Sequence, residues 1–306
     1  MSDIARPVPV DLIGPQRQTL WGTPAVINFA AGGAGAGLYL VALLAAGFSA
    51  SPALALASWV APALVLAGFI AVAIEAGRPL RGPRVLRRIT SSWMSRELWL
   101  GGAFMVLAAA ELATPGPGLR VLAAIAATTL ALAQGFILRS ARGVAAWAVG
   151  PMPRLFLVSA LVSGMGLYLL IEAAAGRLPG EWLLGSTMGL LVFGFATWFM
   201  FVTSSTDPAF VRATWMLRNG ITSVQLACCG YVIPFVLVGL ALALPGWRNF
   251  LGVLGAVLML AGQVHAKAVI ILQAGQLRAI SLASLRLSMG AGPRPWGARP
   301  HPWRSS

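Results

Sequence analysis

The stretch "EAGRPLRGPRVLRRITSSWMSRE", residues 75–97, holds six arginines and two glutamates between two runs that are almost purely apolar. The chain as a whole avoids charge: of its 306 residues 58% are hydrophobic and 10% charged, where soluble domains carry about 25% charged residues. Charge concentrated between long apolar runs is the pattern of a connection between membrane spans. A run of about 20 apolar residues crosses a hydrocarbon core about 30 Å thick. Eight such runs are read, at about 24–48, 53–76, 97–113, 119–138, 155–173, 184–203, 223–244 and 250–273. The expected fold is an all-α integral membrane protein of eight helices in two four-helix bundles, 24–138 and 155–273. A short leading segment, 1–23, and a basic Pro- and Gly-rich tail, 274–306, flank them. The acidic residues Asp3 and Asp11 before a long first run argue against a secretory signal.

An even number of spans brings both ends to one side. Of the 22 Lys and Arg residues, 18 fall on that side, three (Arg120, Arg177 and Arg248) on the other, and Lys267 inside the last span. Positive charge stays in the cytoplasm during insertion. The expected location is a bacterial cytoplasmic membrane with both ends cytoplasmic. The net charge of +14 would suggest nucleic acid on a soluble surface. Placed between spans, the arginines instead suit anionic lipid headgroups, at about 1 kcal/mol each.

Orientation does not require the two glutamates, and acids facing lipid are costly. Glu75 closes the second span, and Arg78, three residues on, would share its face on a continuing helix. Glu97 opens the third span after Ser95 and Arg96, where an acid also suits the helix dipole and Ser95 could cap it. Asn28 in the first span and Gln134 in the fourth lie at similar depths beneath the same face. These four spans therefore bring polar groups to one level, either as a pocket or as amides bonded across helices.

Within "AAGGAGAGLYL" (30–40), Gly33 and Gly37 form a small-residue face with Gly32 and Gly35. Its mid-span position favours helix packing over a nucleotide loop. Lys267 is expected to snorkel, and Glu111 and Glu172 to be wet at the far end. Adjacent Cys228 and Cys229 read as small core residues and cannot supply the spaced thiolates of a zinc or iron–sulfur site. His265 is the one histidine within a span, which excludes a bis-His haem. Neither a metal nor a haem is expected in this chain.

The 75–97 stretch resembles the connection between the second and third spans of membrane anchors of the NrfD, polysulfide reductase and dimethyl sulfoxide reductase type (DmsC-like). In that family an acid or histidine precedes "LGRP", basic residues follow, and a "SWLSRE"-like segment opens the third helix. "WGTPAVINFAAGGAGAGLYL" (21–40) is similar to their first span. Glu75 stands where many relatives carry His or Asp, and Ala76 where Leu is usual. The resemblance covers residues 18–105.

It implies a haem-free subunit that holds an exchangeable quinone in the first bundle. A four-cluster ferredoxin-like iron–sulfur subunit and a molybdopterin catalytic subunit would lie beyond. On that reading Glu75 exchanges protons, with Arg78 holding it ionised or reorienting it, and Arg96 and Glu97 shape the mouth; Asn28 and Gln134, placed by their depth and not by the motif, would meet the quinone carbonyls. Arg81, Arg84, Arg87 and Arg88 would form a docking surface on the cytoplasmic side. The alternatives are a polytopic transporter, and a purely structural anchor without a quinone site. A transporter predicts broken helices in corresponding halves, and Pro234 is read as a mid-span breaker without a partner in the first half.

Overall fold

The computed structural model describes residues 11–75 and 87–281. Among them, eight long helices carry almost all of the regular structure: α1 (Thr23–Ala45), α2 (Pro52–Glu75), α3 (Trp93–Ala113), α4 (Pro117–Ser140), α5 (Met152–Ala174), α6 (Glu181–Val202), α7 (Gly220–Ala243) and α8 (Arg248–Ala268). A π segment, Cys228–Val232, interrupts α7, and another, Val269–Gln273, continues α8. Seven of the helices, all but α3, are long and apolar enough to cross a membrane. The protein is therefore an all-α, multi-pass membrane protein. Helix α3 is set apart by its content: Arg96, Glu97 and Glu111 lie within its 21 residues.

Prolines in the first turn start several helices, Pro24 in α1, Pro117 in α4 and Pro153 in α5. There the missing N–H would have had no partner in any case. Helix α1 stops at Ala45, short of the expected 48, because Gly47 and Phe48 turn the chain at φ 56° and 61°. The carbonyl of Phe48 accepts from Arg120 Nη1 at 3.0 Å, which holds this strained turn. Helix α3 starts at Trp93, earlier than the expected 97. Ser95 is thus inside the helix, and the N-cap position is Ser92, whose side chain makes no capping bond.

Helix α1 packs on α2, α4 and α5, and α3 lies against α2 and α4; α5 also contacts α4, α6 and α8, and α7 lies against α6 and α8. The glycine face of α1 is used as expected. A Cβ at Gly37 would land on the Ala160 backbone, and one at Gly164 on the Gly37 backbone, so α1 and α5 touch main chain to main chain. Since neither backbone can yield locally, Gly164→Val is expected to cost about 3 kcal/mol, the upper end for an overpacked core. Thermal unfolding of the purified protein in detergent checks this, with Gly185→Val, a position open to space, as the unaffected control.

Helix α2 contains Pro62 well inside its span. Pro234 is therefore not the lone mid-span proline, contrary to the sequence reading. The two sit differently, since Pro234 lies two residues past the π segment of α7. A proline removes one ladder bond and crowds the carbonyl four residues back, here that of Gly230. The wider π turn accommodates both effects. Cys228 and Cys229, read as core residues, are half-buried thiols of this segment.

On one face of the helices the two ends of the described chain meet. The strands β1 (Asp11–Ile13) and β2 (Ile280–Ser281) pair antiparallel. Gln18 N–H donates to the Gly275 carbonyl at 2.8 Å and Arg278 N–H to the Gly143 carbonyl at 2.9 Å. Arg278 Nη1 reaches Asp207 Oδ2, 2.6 Å away, in the connection after α6. Partial burial pushes the Asp207 carboxyl up, but the Ala209 N–H and the Arg278 guanidinium outweigh it and hold the group below its usual value.

A depressed carboxylate contributes stability above its unfolded pKa of about 3.9, and that contribution is lost as pH falls through the folded value. For a partly exposed pair it amounts to less than about 1 kcal/mol. Proteolysis after Arg278 is expected to quicken below about pH 4, and Asp207→Asn should show the faster cleavage already at neutral pH.

Candidate functional site

At this same face, α1 and α3 begin while α2 and α4 end, and their polar residues converge. Asn28, in the second turn of α1, donates from Nδ2 to Glu97 Oε1 at 3.0 Å. Gln134, near the end of α4, donates from Nε2 to the same oxygen at 3.2 Å and lies 3.4 Å from the Asn28 carbonyl. All three are buried, with Glu97 only 5% exposed.

Glycines make the room. A Cβ at Gly32 would lie 2.6 Å from Gln134 Nε2, and one at Gly68 of α2 would lie 2.9 Å from Asn28 Oδ1. The glycine run of α1 thus has a second task beyond packing. It leaves the space in which an amide from α4 reaches a carboxyl from α3.

Asn28, Glu97 and Glu75 line one cavity of about 200 Å³. Its remaining wall is apolar and aromatic: Leu20, Trp21, Ala25, Phe29, Val72, Met94 and Ile137. Trp21 stacks on Trp147 at 5.2 Å and tilts against Phe29 at 5.7 Å. Gln18 fixes the approach to α1, donating to the Trp21 and Ile271 carbonyls and accepting from the Trp21 N–H. A cavity of roughly 150 Å³ admits benzene, so this one has room for a single substituted ring.

Glu75 is exposed at the rim, where Oε1 accepts from the Gly22 N–H at 2.9 Å, capping the start of α1. Its expected partner Arg78, with Arg81 and Arg84, lies outside the described residues. Arg87 and Arg88 are exposed in the turn that leads into α3.

The structure parts Arg96 from Glu97. The Arg96 guanidinium turns away from the cavity, donating to the Ile89 and Thr90 carbonyls and lying 4.3 Å over the Trp93 ring. Glu97 is at the buried floor, not the mouth, because the earlier start of α3 carries it a turn inside. Among the described residues Asn28 Oδ1 is buried without a hydrogen-bond partner. The aromatic wall, Trp21 and Phe29 above all, was missed from sequence; its signal is an aromatic residue on either side of the helix start at Thr23.

A second polar cluster occupies the opposite end of these four helices. Arg120 Nε pairs with Glu111 Oε1 at 2.9 Å, and Ser58 Oγ donates to Glu111 Oε2 at 3.2 Å. Glu111 is 4% exposed, so the expectation of a wet carboxylate is corrected there. Glu172 does pair at the surface, with Arg177 at 2.7 Å. Among the described residues no group of three or more His, Cys, Asp or Glu is placed to hold a metal ion. No protein-family model matches the chain, and no curated protein matches it.

Proposed function

We propose that this chain is the haem-free, eight-span membrane anchor of a molybdopterin and iron–sulfur oxidoreductase, exchanging electrons between a partner 4Fe–4S subunit and membrane quinone. In this reading α3 is the eighth span, its two acids Glu97 and Glu111 turned into the protein, and the helices form two four-helix bundles, α1–α4 and α5–α8. The observation that carries the proposal is the cavity. A ring-sized, aromatic-walled space has a buried carboxyl and one amide, Asn28, on its floor and a second acid at its rim, with Gln134 bonded to the carboxyl from behind.

Quinone reduction takes up two protons with two electrons, so a site for it needs apolar walls for the ring, polar groups at its oxygens and a route for protons. Asn28, with an unpartnered Oδ1, suits a quinol hydroxyl. Glu97 is the group placed to exchange a proton with the ring oxygen, and Glu75, exposed at the rim, the group placed to exchange it with water. Gln134 orients Glu97. A purely structural anchor accounts for the arginines but leaves the buried acid and the cavity without a task. A transporter site is expected near the midplane, whereas this cavity opens at one end of the helices.

The partner subunits are placed on the arginine-rich, cytoplasmic face of a bacterial inner membrane, with Arg87 and Arg88 among the docking residues. Purification of the chain with its bound partners tests the assembly: molybdenum, iron–sulfur signals and quinone-dependent turnover are expected together. An Arg87→Cys variant labelled only by a reagent confined to the external side would overturn the orientation.

A further inference from the structure

Lys267 is the one lysine in the chain, and it does not snorkel. It is 2% exposed, its Nζ lies 2.5 Å from Ser159 Oγ, and it sits 5.8 Å over the Phe156 ring. The ion pairs among the described residues are all made by arginines. The groups packed around Lys267 are Ser159 and Phe156 of α5, Trp198 of α6, Tyr231 of α7 and Gln263 of its own helix. Tyr231 is the one other titratable group among them. A buried ammonium with no counter-ion is costly, more than a packing role requires.

Two further observations meet at this place. Gln263 is 1% exposed, its Nε2 has no partner among the described residues, and it lines with Lys267 a cavity of about 10 Å³, about the size that admits one water. Both π segments border it as well. Cys228–Val232 carries Tyr231, and Val269–Gln273 begins two residues beyond Lys267 and contributes Ile270 to the wall. Such segments concentrate at functional sites. The cluster also comes close to the amide behind the first cavity, since a methyl group at Gly33 would lie 3.3 Å from Oε1 of Gln134, whose Nε2 bonds Glu97, and 3.9 Å from Lys267 Cε.

We propose that Lys267 is a second proton-binding station, separate from the Glu97 cavity and facing it across Gly33, which loads and unloads a proton as the charge of that cavity changes. What drives it rests on the quinone reading; that it exchanges a proton does not. In unloading, one Nζ–H bond breaks and the proton passes to the oxygen of a water in the small cavity, leaving a neutral amine. Reloading reverses the step, and no oxidant or reductant takes part. A negative charge gained on the cavity side favours the ammonium, and its loss favours the amine.

With a single lysine, protein labelled with ¹⁵N at the lysine side chain gives one Nζ signal. That signal is expected to move between its ammonium and amine positions over the working pH range, and Glu97→Gln to shift the midpoint by about one pH unit. A signal fixed at the ammonium position overturns the proposal, whether or not quinone binds. In the reconstituted complex, Lys267→Met is expected to lower the protons moved per electron pair while electron transfer to quinone stays within about twofold; an unchanged proton count contradicts it. If Lys267→Met does not assemble, Ser159→Ala keeps the lysine and must displace the midpoint of the same signal. A wild-type complex that passes no electrons to quinone defeats the quinone reading alone, and the titration still decides the lysine.

Discussion

Glu97→Gln is expected to lower quinone-linked turnover of the assembled complex by about 100-fold or more, the usual loss when a positioned proton donor is removed. The substitution keeps the shape of the side chain and an oxygen able to accept from Asn28 Nδ2 and Gln134 Nε2, so the protein should assemble normally. What it removes is the exchangeable proton at the floor of the cavity. Glu75→Gln serves as the graded comparison. At the rim, water can replace part of what Glu75 does, and a loss of about tenfold is expected. Equal losses at both positions would mean that the two acids act as one chain; no loss at Glu97 would remove it from the chemistry.

Glu111→Ala should destabilise the protein by about 3–5 kcal/mol, the cost of stranding a buried charge. Arg120 then keeps only the Phe48 carbonyl as partner at 3.0 Å, and Ser58 loses its acceptor. The pair ties the turn after α1 to the α3–α4 hairpin, at the end of the bundle away from the cavity. Replacing both members, Glu111→Leu with Arg120→Leu, is expected to recover most of the loss, since a buried pair exchanged for apolar side chains is often neutral. Unfolding in mixed micelles measures all three variants. A double variant as unstable as the single would show that the two charges act independently.

Seven of the eight helices were legible as spans because those are written in length and apolarity; α3 forms as a helix but is too polar to be read that way, and each boundary moved by only a few residues. Depth was legible too. Counting residues inward placed Asn28 and Gln134 at one level, and the structure brings them to a single carboxyl oxygen. Facing was not. Arg96 and Glu97 are neighbours on a helix and so point about 100° apart, and only Glu97 faces inward. Glu111 and Lys267 were misjudged for a related reason, because proximity to a helix end says nothing about which neighbour covers it. The aromatic wall around Trp21 depends on the loop pinned by Gln18 against Ile271, a contact between residues 253 apart in sequence, and pattern within one helix cannot show it.

The central claim is that a quinone ring sits between α1 and α3 above Glu97. A photoreactive short-tail quinone, irradiated with the purified protein in lipid nanodiscs and mapped by peptide mass, tests it most directly. Labelling is expected within residues 20–29 and 94–97, displaced by unlabelled quinone and lost in a variant whose cavity is filled, Ala25→Trp. Labelling spread over the lipid-facing surfaces of the helices, and indifferent to competitor, would contradict it.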